Sequence, residues 1–123
     1  MKKRILISDD ECHIRRILQF NLERAGYEVL VVEDGSAALE TALAEHPDLI
    51  ILDISMPGMT GLDVCRRLKT QAALERTPVF LLTAKGQESD RHAGDASGAD
   101  RFFTKPFSPK ELVRELQSTL GDA

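Results

Sequence analysis

Five short apolar runs punctuate this chain, and segments with helical periodicity separate them. The runs are Arg4–Ser8, Val29–Val32, Leu49–Leu52, Val79–Leu82 and Arg101–Thr104. Such alternation dictates an α/β fold, a five-stranded parallel sheet with helices on both faces, because parallel strands need long crossovers and these cover both sides. Leu49-Ile50-Ile51-Leu52 is apolar throughout, as a central strand buried on both faces must be. Parallel strands also bring their carboxyl ends to one edge, where open α/β sheets bind ligands. Five polar residues fall at that edge: Asp9 and Asp10 after the first run, Asp53 after the third, Thr83 after the fourth and Lys105 after the fifth. The spacing is the message.

The helical segments carry their own punctuation. A first helix over roughly Glu11–Ala25 would turn Ile14, Ile17, Leu18, Leu22 and Ala25 inward, with Gly26 as a left-handed cap. After an Asp34-Gly35 turn, a second helix over roughly Ser36–Glu45 offers Ala38, Leu39, Ala42 and Leu43 to the core. Met56-Pro57-Gly58-Met59 must be a loop, and Thr60 with Asp63 three residues on reads as a capping box opening a third helix. A fourth helix between Glu88 and Gly98 is the weakest segment, with few large apolar residues. Ser108-Pro109-Lys110-Glu111 opens a fifth, with a serine cap, proline at the first helical position and Glu111 as the reciprocal glutamate, and Leu112, Val113, Leu116 and Leu120 inward.

Composition narrows the function classes. A chain of 123 residues fits one domain over 1–123, and 42% hydrophobic residues are enough for it to fold without staples. With a formal charge of −4 and no basic run, a nucleic-acid surface on this chain is not indicated. Met1-Lys2-Lys3-Arg4 is basic, but the four residues before Asp9 are neither a signal peptide nor a membrane span. Cys12 and Cys65 form no recognisable motif, and the three histidines have no ligand spacing to them, so reduced thiols in a cytoplasmic protein are expected and zinc is not.

Taken singly, the edge residues are ordinary: an aspartate after a strand caps a helix, a lysine is solvated, a threonine makes a turn. Together, in this order, they have a chemistry. Three carboxylates in one pocket repel, two unit charges about 4 Å apart costing about 4 kcal/mol at an effective dielectric of 20. Lys105 offsets one and leaves a formal −2, which a divalent cation cancels. Oxygen donors without imidazole or thiolate select Mg²⁺. Asp53 stands alone on a central strand and is the natural nucleophile toward a phosphoryl donor, giving an acyl phosphate. Lys105 and the cation would neutralise the phosphoryl oxygens, and the Thr83 hydroxyl would donate to one of them.

At these residues the chain resembles a response-regulator receiver domain of two-component signalling, a phosphoacceptor rather than an enzyme acting on other substrates. The resemblance rests on Asp9-Asp10-Glu11, on Asp53 through Gly61, on Leu81-Leu82-Thr83-Ala84, and on Gly98-Ala99-Asp100 followed by Thr104-Lys105-Pro106-Phe107. It implies a flavodoxin-like sheet of order 2-1-3-4-5, an order the chemotaxis receiver exemplifies. It further implies that Asp53 takes a phosphoryl group from a phosphohistidine on a sensor histidine kinase or a histidine phosphotransfer protein. Asp10 would bind Mg²⁺ directly, Asp9 through water, and the Ser55 carbonyl would add a ligand. The Lys105-Pro106 bond would be cis. Thr83 and Phe102 would form the switch, Phe102 turning inward behind Thr83 without the hydroxyl that a tyrosine there carries. The surface of helix four, strand five and helix five would then dock a partner or form a homodimer, with Arg101 and Glu115 as a charge pair whose signs are exchanged relative to the dimerising pattern.

In this family the lifetime of the acyl phosphate is tuned from two positions, here Ser55 and Lys85. Ser55 is short, and protonated Lys85 has no acceptor with which to orient the attacking water. A half-life of minutes or more is therefore expected, and Ser55→Asn with Lys85→Glu should speed hydrolysis. A tenfold gain would correspond to about 1.4 kcal/mol of barrier. Following the phosphoprotein by mass after donor removal tests this, and a wild-type half-life of seconds would refute it.

Two rival readings share parts of the pattern. A haloacid-dehalogenase-type phosphatase would place its nucleophile after strand one in an Asp-x-Asp pattern, whereas the aspartates here are adjacent. A flavodoxin-like FMN module needs a hydroxyl- and glycine-rich loop where Ser8-Asp9-Asp10-Glu11 stands, and three acids repel a flavin phosphate.

Overall fold

The computed structural model describes residues 2–84 and 98–121. Five parallel strands run β1 (Arg4–Ser8), β2 (Glu28–Val32), β3 (Leu49–Asp53), β4 (Val79–Ala84) and β5 (Arg101–Lys105). Their order in the sheet is β2-β1-β3-β4-β5, as the resemblance implied. The helices are α1 (Cys12–Arg24), α2 (Gly35–Glu45), α3 (Gly61–Lys69) and α4 (Pro109–Leu120). The helix expected between Glu88 and Gly98 lies largely outside the described residues, so α4 is the helix that the sequence places fifth.

Strand alternation divides the core in two. Leu6, Ile50, Leu52 and Leu81 face α2 and α3, where Ala38, Ala42, Val64 and Leu68 meet them. Ile5, Ile7, Leu49, Ile51, Phe80 and Leu82 face Leu18 and Leu22 of α1 and Leu112 and Leu116 of α4. All five residues of β3 are buried, which is why its apolar run is unbroken until Asp53. Phe102 packs on the first cluster and Phe103 on the second, where its ring lies 5.4 Å from that of Phe80. Among the described residues, no helix is long and apolar enough to cross a membrane.

Two inward assignments fail for one reason. Ile17 and Leu43 are 39% and 40% exposed. Each is one residue, about 100° of helical rotation, away from a buried neighbour (Leu18 and Ala42), so a wide apolar stripe in sequence overstates the buried one. The start of α2 also shifts. The Asp34 side chain accepts from Ala37 N at 2.8 Å, so Asp34 is the cap and Gly35 the first helical residue. Gly35 faces the backbone of Met59, and a Cβ there would overlap the Met59 carbonyl oxygen. The Thr60–Asp63 box closes in both directions and Gly26 has φ +100°, whereas at the last helix Ser108 accepts from Glu111 N without the reciprocal bond from the Glu111 side chain.

Candidate functional site

The site grows from the ends of β1, β3, β4 and β5. Ser8 pairs with Leu52 and Asp53 with Leu82, which sets Asp9, Asp53 and Thr83 on three adjacent strands at one edge. On the far side Ala84 pairs with Lys105. The Lys105–Pro106 peptide bond is cis. Lys105 Nζ reaches back over the edge, to 2.9 Å from Asp9 Oδ2 and 3.3 Å from Asp53 Oδ2.

Neighbouring backbone fixes these carboxylates. Asp9 Oδ1 accepts from Glu11 N at 2.8 Å, and Asp53 Oδ1 accepts from Ser55 N at 3.1 Å. Asp9 is fully buried and Asp53 only 3% exposed, while Asp10, Glu11 and Ser55 lie at the open rim. Behind them, Ser8 Oγ donates toward the Asp34 carbonyl at 3.1 Å and lies 2.9 Å from Met56 Sδ, joining the start of α2 to the loop after β3. Gly61 packs on the Asp53 backbone so closely that a Cβ would overlap the Asp53 carbonyl oxygen and come within 2.9 Å of its carbon. That glycine is a steric requirement of the site.

Burial, and then the charge of Asp9, push the Asp53 carboxyl up from 3.8 to about 6, against the opposing pull of Lys105 and the Ser55 amide. At neutral pH Asp53 is still largely ionised. Burial works to lower the pKa of the Lys105 ammonium, but its close contact with Asp9 and the charges of Asp53 and Asp9 outweigh it, and the net shift is upward. Lys105 therefore stays charged.

Glu11, in sequence only one of three consecutive acids at the start of the first helix, also belongs to the site. Its Oε1 lies 3.2 Å from Lys105 Nζ, and one oxygen from each of Asp9, Asp10, Glu11 and Asp53 falls within 4.8 Å of the others. A third consecutive acid was the available signal. Asp9 Oδ2 is buried and has no well-aligned hydrogen-bond donor despite its short distance to Nζ. All-oxygen donors with one such buried, under-satisfied oxygen fit a hard divalent cation.

Thr83 is buried, its Oγ1 3.4 Å from the Ala84 carbonyl, and Phe102 is half-buried on β5. Arg101 Nε lies 3.4 Å from Glu115 Oε2 within the same chain, on the exposed face of β5 and α4. Lys85 lies outside the described residues. Cys12 is exposed and Cys65 buried, both as free thiols.

A family model described as the response regulator receiver domain matches residues 5–117. The chain is 45% identical over 120 residues to the alkaline phosphatase synthesis transcriptional regulatory protein PhoP of Bacillus subtilis, covering 98% of this chain and 49% of that protein. It is also 45% identical over 118 residues to the phosphate regulon transcriptional regulatory protein PhoB of Pseudomonas aeruginosa, covering 96% and 52%. The chain thus spans about half the length of these curated relatives. Among solved structures, the chemotaxis response regulator CheY4 of Vibrio cholerae superposes with a TM-score of 0.89 at 35% identity, covering 96% of this chain and 98% of that one. The receiver domain of a signal transduction histidine kinase from Syntrophus aciditrophicus superposes with a TM-score of 0.90 at 36% identity, covering 96% and 89%.

Proposed function

Because the chain belongs to the response regulator receiver family, we propose that Asp53 is its phosphoacceptor and that phosphorylation there switches a docking surface. The observation that carries this reading is the buried Asp53 carboxylate facing the Lys105 ammonium, whose Nζ lies 3.3 Å away at the carboxyl edge of the sheet. The donor is a phosphohistidine on a sensor histidine kinase or a histidine phosphotransfer protein. An Asp53 oxygen attacks phosphorus, the P–N bond breaks, and its electron pair returns to the imidazole, which takes up a proton from solvent. No general base is needed, because the nucleophile is already ionised.

The chain's own groups divide the remaining work. Ser55 N holds one Asp53 oxygen and so sets the direction of the other. Lys105 pairs with a phosphoryl oxygen as charge builds there, and Thr83 donates its hydroxyl to another. Asp10, Asp53 and the Ser55 carbonyl would hold Mg²⁺ directly and Asp9 through water; when bound, the ion supplies positive charge against the phosphoryl oxygens. The movement of Thr83 lets Phe102 turn further into the first core cluster, which reshapes β5 and its neighbours. Acidic side chains at the mouth oppose an FMN phosphate, and adjacent rather than alternating aspartates oppose the phosphatase reading.

Acetyl phosphate with Mg²⁺ should add one phosphoryl mass to the protein, and either EDTA or Asp53→Asn should abolish the gain. Persistent labelling of Asp53→Asn would move the nucleophile elsewhere and end this assignment.

Phosphorylation should also favour homodimers through the exposed face of β5 and α4 that carries Arg101 and Glu115. Arg101 and Glu115 would then exchange their contact within the chain for the partner's copies, an exposed pair contributing only about 0–1 kcal/mol. Light scattering on the beryllofluoride-activated protein measures this. A persistent monomer, or a dimer indifferent to Arg101→Glu, would count against it.

A further inference from the structure

Glu11 occupies the N-cap of α1 and does not cap it, since its side chain makes no bond to the amides of the helix. Its carboxylate is committed elsewhere. Oε1 lies 3.2 Å from Lys105 Nζ and Oε2 lies 3.4 Å from His13 Nε2, while the Glu11 backbone N–H holds Asp9 Oδ1. One residue thus binds both members of the Asp9–Lys105 pair.

An ammonium has three N–H donors, and Lys105 faces three carboxylates: Asp9 at 2.9 Å, Glu11 at 3.2 Å and Asp53 at 3.3 Å. The three are not equivalent. The side chains of Asp9 and Asp53 are 0% and 4% exposed, while that of Glu11 is 45% exposed and can return to water. An incoming phosphoryl group needs one Lys105 donor, and the cheapest to release is the one on Glu11.

Resting on the reading of Asp53 as phosphoacceptor, we propose that Glu11 is a positioning residue for Lys105: in the unphosphorylated protein it holds the ammonium contact that phosphoryl oxygens later take. It parks the lysine at the mouth of the pocket and raises the donor concentration needed to engage it. With Glu11→Gln a neutral amide oxygen replaces the carboxylate beside Lys105, and a charged acceptor no longer competes with the donor anion.

The test is the rate of Asp53 labelling against acetyl phosphate concentration, with each variant saturated in Mg²⁺ by its own titration. Glu11→Gln should lower the half-saturating concentration about fivefold, the factor expected for one unit charge about 4 Å away in water, with the maximal rate constant within about twofold. In a Lys105→Met background the same substitution should have no effect, because the partner it acts through is gone. Unchanged half-saturation, or an equal drop in the Lys105→Met background, would overturn the proposal, the second outcome reducing Glu11 to a rim charge.

A second measurement needs no phosphoryl donor. In the metal-free ¹⁵N-labelled protein, the Lys105 ammonium resonance, assigned by its loss in Lys105→Met, should move in Glu11→Gln. An unmoved resonance refutes the contact. Should wild-type protein take no phosphoryl group at Asp53, the phosphoacceptor reading falls, and the resonance still decides whether Glu11 holds Lys105.

Discussion

Lys105→Met should lower the urea midpoint at pH 7 and slow Asp53 labelling by acetyl phosphate at least a hundredfold. Both effects have one origin. Lys105 Nζ is the cation shared by the buried Asp9 and Asp53 carboxylates, and its loss leaves them facing each other. Removing one partner of a buried ion pair typically costs about 3–5 kcal/mol. The low end applies here, because the carboxylates open onto a rim and Asp53 can escape by taking up a proton. For that reason the destabilisation should shrink toward pH 5. The rate falls because the developing charge on the phosphoryl oxygens loses a preorganised donor, a loss of about 10²–10³ in comparable sites. Urea unfolding in EDTA at pH 7 and pH 5, with labelling followed by mass, measures both. A variant as stable as wild type at pH 7, or labelled at the wild-type rate, would show that the ammonium does not hold this site together.

Asp53→Asn should be more stable than wild type in EDTA at pH 7, although it removes the proposed phosphoacceptor. Burial and the charge of Asp9 raise the Asp53 pKa from 3.8 to about 6. The folded state then binds the proton more tightly than the unfolded one, so this group favours folding at low pH. That advantage declines as pH rises from about 4 to about 6, and above about 6 the folded protein carries the full cost of an ionised buried carboxylate. A shift of roughly two pKa units sets an upper bound of about 3 kcal/mol on the gain from Asn, at 1.36 kcal/mol per unit. The lost contact with Lys105 reduces it. The difference should narrow toward pH 4, and Mg²⁺ should reverse the ranking by stabilising wild type alone. Equal midpoints for the two proteins across pH 4–7 in EDTA would mean that Asp53 is not strained in the resting state.

How far the sequence reached depended on the range of the forces involved. The unbroken apolar run of β3 and the alternation of strands with helices specified a parallel sheet, because burial on both faces leaves no other pattern. Caps at Thr60 and Ser108 were legible for the same reason, being bonds between residues three apart. The carboxyl-edge rule placed Asp9, Asp53, Thr83 and Lys105 together. Which side chain bonds which could not be read from the edge rule, because those distances depend on the twist and register of β1, β3, β4 and β5. Glu11 turning from its helix cap to Lys105, Asp9 being buried while Asp10 stays exposed, and Arg101 meeting Glu115 within one chain are contacts between segments distant in sequence or choices between adjacent residues. Gly35 and Gly61 make the same point from the side of packing. In sequence they read as a turn and a helix start; only the assembled fold shows Met59 and Asp53 backbone where a Cβ would stand, because close packing is set by the segment that arrives from elsewhere in the chain.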